Sequence, residues 1–340
     1  MNSNNMNPLP LVDGCLLIDN SSLEKLSCPR RWQYSEIDLR SPVAERAGAN
    51  FGSTMHRGWE TRFKLCGTTA PNTAQTVLIE SAMADWLAEH PQPAGDFRDL
   101  NHACRVMRVY NHVYPQENFT ILKNHVGEPI IEASFMLPFA LYNPSTGDIF
   151  SWTQDHDKVQ ELIASYIPIY YCGKLDLGIS DSNGLWSFDH KTAFQFGDSW
   201  NKQMSMDGGQ LGYCWALKQV TGQQVAGYII DGVRIRRPSV KAQFTGESPV
   251  DATDFVRLPN FVTPDQLDEW REDVMCIIRD IIQCHQRNFF PRHRWQCVGK
   301  YGPCDFFDVC STPRAQRQVV LQSGLFETNE WSKGLKVMKG

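Results

Sequence analysis

Two aspartates and a lysine between residues 171 and 193 are the strongest candidates for chemistry in this chain. The stretch reads YCGKLDLGISDSNGLWSFDHKTA: an apolar arm, the turn Asp181-Ser182-Asn183-Gly184, then a second arm in which apolar and polar residues alternate. That pattern predicts a β-hairpin with arms over 167–180 and 185–191. Side chains alternate along a strand, so Asp189 and Lys191 share one face with His190 opposite, and the first arm can bring Asp176 beside them. Two carboxylates held together raise each other's pKa unless a cation separates them. Mg2+ suits such a place, because it takes hard oxygen ligands from one or two carboxylates and keeps the rest of its shell for water and phosphate. Lys191 beside it can orient or deprotonate a water, or offset charge building on a phosphate. The competing reading is a surface hairpin with ordinary charges.

Other elements must position that hairpin. Ser21 and Glu24 match a capping box opening a helix that runs through Cys28-Pro29-Arg30-Arg31-Trp32-Gln33-Tyr34. Residues 47–51 read as a loop leading into a helix with Ser53 or Thr54 as N-cap, on which His56 and Glu60 share a face. Residues 73–89 and 99–114 have amphipathic helical periodicity. Strand-like sequence begins near Phe119 and includes 129–138, where Glu132 interrupts an apolar run, either as a solvent-edge residue or as an acidic ligand next to the hairpin. Residues 142–157 read as loop or insertion. Beyond the hairpin, 199–220 reads as one helix carrying Gln210 and Tyr213 about a turn apart, with Gly208 and Gly209 marking a bend or a close approach of another backbone. A strand over 223–236 finishes in Arg234, Arg236 and Arg237, suited to a solvated edge or to phosphate contacts. Thr263-Pro264 opens a long helix within 258–286.

The chain has 340 residues, 42% apolar and 21% charged, which is ordinary for a soluble globular protein and allows one elaborated domain or two small ones. A net charge of -5 argues against a non-specific nucleic-acid coat protein while allowing a local basic groove. No basic n-region precedes an apolar run, and no stretch of about 20 apolar residues occurs, so no export and no membrane partner are expected and a cytoplasmic address follows. Residues 1–20 are expected to be flexible and 311–340 to form a polar tail.

The 11 cysteines, an odd number without an export signal, point to metal ligation or buried thiols rather than disulfides. Cys297, Cys304 and Cys310 fall in a Gly- and Pro-bearing segment where core packing does not explain three thiols. Three thiolates leave a tetrahedral site one ligand short; Cys28, otherwise a small buried hydrophobe, can complete it and tie the two ends of the domain together. Four thiolates suit either an iron–sulfur cluster or zinc.

Taken in order, Cys28-Pro-Arg-Arg, Gly52-Ser-x-x-His56, Gly173-x-x-Asp176, Asp189-x-Lys191, Gln210 with Tyr213, and the three late cysteines resemble the PD-(D/E)XK nuclease superfamily, in particular its RecB-like branch. Gln210 and Tyr213 stand three apart where that branch usually has four. The resemblance implies an α/β (α+β) fold, with a central mixed β-sheet flanked by helices in a single nuclease domain over 21–310 whose ends are joined by the cysteine cluster. It implies Mg2+ or Mn2+ held by His56, Asp176, Asp189 and the His190 backbone carbonyl, with Lys191 positioning the attacking water and Gln210 and Tyr213 assisting. It also implies a [4Fe-4S] cluster on Cys28, Cys297, Cys304 and Cys310, zinc being the alternative. Tyr213, Arg234, Arg236 and Arg237 become DNA-binding candidates. The expected activity is a metal-dependent DNA exonuclease acting on single-stranded DNA or DNA ends in recombination, repair, or phage or CRISPR DNA processing, with a helicase or recombination partner. The alternatives are a DNA-end-binding adaptor without cleavage and a structure-specific endonuclease.

Overall fold

The computed structural model describes residues 9–43, 47–152, 165–239, 250–299 and 302–328. In chain order its strands are β1 (Leu11–Val12), β2 (Cys15–Ile18), β3 (Arg40–Pro42), β4 (Thr120–Ile121), β5 (Ile131–Tyr142), β6 (Ile149–Ser151), β7 (Ile167–Asp181), β8 (Gly184–Ala193), β9 (Val225–Arg234), β10 (Phe255–Phe261), β11 (Val298–Gly299), β12 (Gly302–Pro303) and β13 (Phe326–Thr328). Its α-helices are α1 (Asn20–Lys25), α2 (Pro29–Trp32), α3 (Ala47–Cys66), α4 (Thr73–Glu89), α5 (Leu100–Val113), α6 (Asp198–Ser205), α7 (Gly208–Thr221), α8 (Pro264–Gln286), α9 (Phe307–Ser311) and α10 (Arg317–Leu321). No helix among the described residues is long and apolar enough to cross a membrane.

The chain divides into two compact units. One comprises Glu45–Ala133 and Lys174–Leu267, and it carries the hairpin. Its mixed sheet runs β4-β7-β8-β9-β10, antiparallel throughout except for β8 beside β9. A parallel neighbour requires a crossover connection, which α6 and α7 supply. The β7–β8 turn is closed by Asp181, whose Oδ1 accepts from the Asn183 N–H at 2.7 Å and from the Trp186 indole N–H at 2.8 Å. Met55, Trp59 and Phe63 of α3, Tyr110 of α5, and Trp186 and Phe188 of β8 share one buried core. Each such side chain contributes on the order of 1.5–3 kcal/mol through burial, so α3 is fixed firmly within this unit. Gly58 permits the close approach: a β-carbon there would meet Met107 Cε at 2.6 Å and Met83 Sδ at 2.7 Å.

The other unit comprises Met1–Ala44, Ser134–Gly173 and Asp268–Gly340. Within it β2 pairs with β1 antiparallel and with the start of β7 in parallel, Leu16 opposite Ile169. Leu16, Leu17 and Ile18 are buried. β3 pairs antiparallel with β13, and Tyr34, Phe306, Val309, Leu321 and Phe326 form a small separate core.

Several elements depart from the sequence expectation. The capping box of α1 belongs to Asp19 and Ser22 rather than Ser21 and Glu24; Asp19 Oδ1 accepts from the Ser22 N–H at 2.7 Å. That helix also stops before Cys28, and Pro29 begins a new one at the position where a missing N–H costs nothing. Residues 47–51 are helical, and Thr54 lies inside α3, its hydroxyl donating to the Asn50 carbonyl at 2.8 Å. The helix expected over 199–220 is two, because Asp207 caps a fresh start by accepting from the Gly209 N–H at 2.8 Å; Gly208 and Gly209 open α7 rather than bend it. β1 and β2 fall in the expected flexible start, and β13 in the expected tail. β5 and β7 each contribute residues to both compact units. Residues 1–8, 153–157 and 329–340 of these expectations lie outside the described residues.

Candidate active site

The β7–β8 ladder runs from Asp181↔Gly184 to Leu177↔Phe188, and the next residue on each arm is an aspartate, Asp176 and Asp189. In place of a further ladder bond, the His190 backbone N–H donates to Asp176 Oδ2 at 2.9 Å. His56 enters from the middle of α3, which is locked onto β8 by Trp59 stacking on the His190 ring at 4.3 Å and 8°. The His56 Nδ1 lies 3.4 Å from Asp176 Oδ2 and 3.2 Å from Glu132 Oε1. Donor atoms of His56, Glu132 and Asp176 all lie within 4.8 Å of one another, the spacing a shared cation requires. Lys191 Nζ ion-pairs with Asp189 Oδ2 at 2.8 Å, and Lys174 Nζ with Glu132 Oε2 at 2.8 Å.

The electrostatics are those of acids crowded around too little positive charge. Burial pulls the pKa of His56 down, but Asp176 and Glu132 more than reverse this and carry it to about 9. Burial lifts Asp176, His56 counters it, and Asp189 and Glu132 add to the rise, leaving this carboxyl well above its usual range. Glu132 moves the other way, because hydrogen bonds and charge from His56 and Lys174 outweigh its burial. Burial disfavours the charged form of Lys191, yet Asp189 and then Asp176 outweigh burial and keep the ammonium protonated. Such a donor set, one imidazole nitrogen and several carboxylate oxygens, fits a divalent cation, which would take over the work now done by protons. In the metal-free site this lysine is an ammonium, a hydrogen-bond donor and counter-charge to the acids.

Behind His190 lies a chain of buried charge that the sequence reading missed. The His190 Nδ1 is 2.9 Å from Asp231 Oδ2, and Asp231 also accepts from the Tyr110 hydroxyl at 2.8 Å and from Arg257 Nε at 2.9 Å. Arg257 continues to Glu117 at 2.6 Å, and Glu117 to Arg62 at 3.2 Å. Asp231 and Arg62 are fully buried. Burial would raise the Asp231 carboxyl, but Arg257 and His190 hold it below the usual range, so it stays ionised against the His190 ring. The one signal in the sequence was an acid inside an apolar strand, as it was for Glu132.

The remaining candidates divide. Helix α7 lies in the connection between the parallel strands β8 and β9. Gln210 is buried there with its amide oxygen lacking a hydrogen-bond partner among the described residues, and Tyr213 is close enough to act electrostatically on Lys191. Glu60 is tied to Arg57 at 2.7 Å and Lys64 at 2.6 Å and is not in the group of donor atoms that His56 forms with Glu132 and Asp176. Arg234 is paired with Asp254 at 2.7 Å and Arg236 with Asp251 at 2.6 Å, so their charge is already matched, while Arg237 is exposed.

In the other unit, Cys28, Cys297, Cys304 and Cys310 line one cavity together with Arg31 and Arg292. The two chain ends meet there through the Arg30 N–H donating to the Pro291 carbonyl at 3.2 Å, Arg30 Nε donating to the Phe290 carbonyl at 2.8 Å, and His293 Nδ1 at 2.6 Å from the Ser27 carbonyl. Burial raises the Cys310 thiol pKa, and neighbouring Cys28 and Cys297 raise it further. No three of these sulfurs lie within 4.8 Å of one another.

A mixed sheet flanked by helices, with acids where two of its strands cease to pair and a lysine two residues on, defines a metal-dependent nuclease architecture. The PD-(D/E)XK nuclease superfamily matches residues 21–311, and the chain belongs to that superfamily. No curated protein matches the chain.

Proposed function

We propose that the protein is a DNA exonuclease of the RecB-like branch, hydrolysing phosphodiester bonds of single strands or DNA ends with Mg2+ or Mn2+. The observation that carries this reading is the end of the β7–β8 ladder, where Asp176 joins His56 and Glu132 in one group of donor atoms within 4.8 Å, while Asp189, outside that group, pairs with Lys191. His56, Asp176, Asp189 and the His190 carbonyl would hold the cation, with Glu132 as a further carboxylate. When bound, a divalent cation polarises the scissile phosphate and makes the attacking water more acidic. Lys191, kept protonated by its aspartates, donates to the incoming water or the phosphate and offsets charge that builds as the bond breaks. The unpartnered Gln210 amide oxygen is an acceptor for the same water, and the exposed Arg237 is available to the DNA backbone.

In the same reading Cys28, Cys297, Cys304 and Cys310 hold a [4Fe-4S] cluster that joins the two ends of the chain. Their lining of one cavity supports this. A helicase or recombination partner would supply the strand.

The test is cleavage of single- and double-stranded linear DNA with Mg2+ or Mn2+ by the wild type, Asp189→Ala and Lys191→Ala. Undiminished cutting by either variant ends the assignment. Opening of circular single strands would replace an exonuclease with an endonuclease. DNA-end binding with no cleavage in any metal would leave an adaptor. Purified without oxygen, the protein should be brown, with broad visible absorbance; a colourless zinc-containing sample would replace the cluster with zinc.

A further inference from the structure

We infer that Phe194, backed by Arg98, is a stacking ledge for an unpaired base of the substrate strand and biases the enzyme toward single-stranded DNA; this rests on the nuclease reading above. Phe194 follows Lys191 by three residues where β8 runs out, about 10 Å along the strand, and is 62% exposed. An aromatic so exposed beside an active site has a face to offer. The Arg98 guanidinium lies 5.6 Å from the Phe194 ring centre and 5.6 Å from that of Phe97, extending the ring into a wider flat surface.

That surface faces the same helix as the acids. A β-carbon on Gly48 of α3 would lie 3.1 Å from Arg98 Nη1, and one on Gly52 would lie 3.5 Å from the Thr192 hydroxyl. Gly52 is one turn before His56, so the ledge continues from the acidic cluster along α3. Its chemistry suits a base with its phosphate alongside. Arg98 is bound by both carboxylate oxygens of Asp96, at 2.8 Å and 2.6 Å, which holds its guanidinium flat beside the ring, while Arg237, which also acts on Asp96, supplies positive charge for the phosphate that follows the stacked base. The neighbouring aromatics are spent on the fold: Phe196 and Trp200 pack on each other at 4.7 Å, and a β-carbon on Gly232, the residue beside Lys191 in the β8–β9 register, would meet Trp200 at 2.8 Å and Phe196 at 3.1 Å. Duplex bases are already stacked within the helix, whereas bases of a single strand can lie on an aromatic ring regardless of sequence.

The test compares wild type, Phe194→Ala and Phe194→Trp on a linear single-stranded oligonucleotide and on a blunt duplex of the same sequence. In Phe194→Ala the ratio of single-strand to duplex kcat/KM should fall roughly ten-fold, mainly through KM, and Phe194→Trp should restore it. A ratio unchanged in Phe194→Ala, or lost equally in Phe194→Trp, overturns the ledge. A second measurement stands apart from cleavage: quenching of a 2-aminopurine single strand on binding in Ca2+. Quenching by wild type that disappears in Phe194→Ala upholds the ledge even if no DNA is cut and the nuclease reading fails; equal quenching by both proteins overturns the ledge even if DNA is cut.

Discussion

The acidic site hangs from long regular elements, whereas the cysteine cavity hangs from short ones. Asp176 and Asp189 stand on β7 and β8 and His56 on the 20-residue α3, and Asp176 is bonded through the His190 backbone to the His190–Asp231–Arg257–Glu117–Arg62 chain. Cys28 sits at the break between α1 and α2, Cys297 follows a single 3-10 turn, Cys304 follows the two-residue β12, and Cys310 lies in the five-residue α9. Donors carried by a packed scaffold are in place before the cation arrives, and the cost is carboxylates crowded in a buried space. Donors carried by loops gain much of their order from the group they bind, as in structural metal sites. One region is therefore expected to lose chemistry when its ligands change, and the other to lose stability.

The sharpest break of that contrast is a paired measurement of cleavage and thermal unfolding. Asp189→Ala should lower cleavage more than about a thousand-fold, which is over 4 kcal/mol of barrier, with an unfolding temperature close to wild type because a crowded carboxylate has been removed. Cys28→Ser should lose the visible absorbance and unfold about 10 °C or more below wild type, while still cutting DNA when kept cold. If Asp189→Ala unfolds and Cys28→Ser does not, the division of labour is wrong.

Next in size is the chain behind the acids. Arg257→Met keeps the length of the side chain but removes the cation shared by Asp231 and Glu117, leaving Asp231 with His190 and Tyr110 and Glu117 with Arg62 alone, so urea unfolding should show a loss of about 3–5 kcal/mol. A loss under about 1 kcal/mol would mean that water or rearrangement relieves the acids and that the acidic site is less rigidly backed than its geometry suggests.

What could be read from the sequence followed from how local each signal is. The hairpin, its turn and the shared face of Asp189 and Lys191 depend on alternation and on Asp-Ser-Asn-Gly, and Lys191 does pair with Asp189. Asp231 was illegible because its meaning lies in a register: it stands directly opposite His190 across parallel strands whose residues are 41 apart in sequence. Glu132 was half legible. Its φ of 47°, in the left-handed region where non-glycine residues are rare, breaks the regular alternation at the start of β5 and turns the carboxylate to His56 in a way that counting by twos does not anticipate. The charge of Arg234 and Arg236 looked available because Asp251 and Asp254, their partners, arrive from the next strand's entry.

Glu132 offers a smaller prediction. Glu132→Gln keeps the shape but removes one anionic donor, and Mg2+ affinity measured by calorimetry should fall roughly ten-fold, about 1.4 kcal/mol. Unchanged affinity would reduce Glu132 to a partner that orients His56.

The smallest effect per step is the dependence of cation binding on pH, and it separates the two regions by proton count. His56 has a pKa of about 9 in the folded protein against 6.5 ordinarily, so its protonated form stabilises the metal-free fold fully below pH 6.5, and that contribution fades as pH rises through about 9. A cation taking the His56 nitrogen must displace this proton. Mg2+ affinity should therefore rise about ten-fold per pH unit between pH 7 and 9 and level off above, with close to one proton released per ion in calorimetry run in two buffers. His56→Gln should flatten the profile. The cysteine cavity differs in kind: burial raises the pKa of both the Cys304 and Cys310 thiols, so loading it should release more than one proton throughout the same range. Proton release of zero at the acidic site would show that the cation is held by the carboxylates alone, with His56 left as their counter-charge.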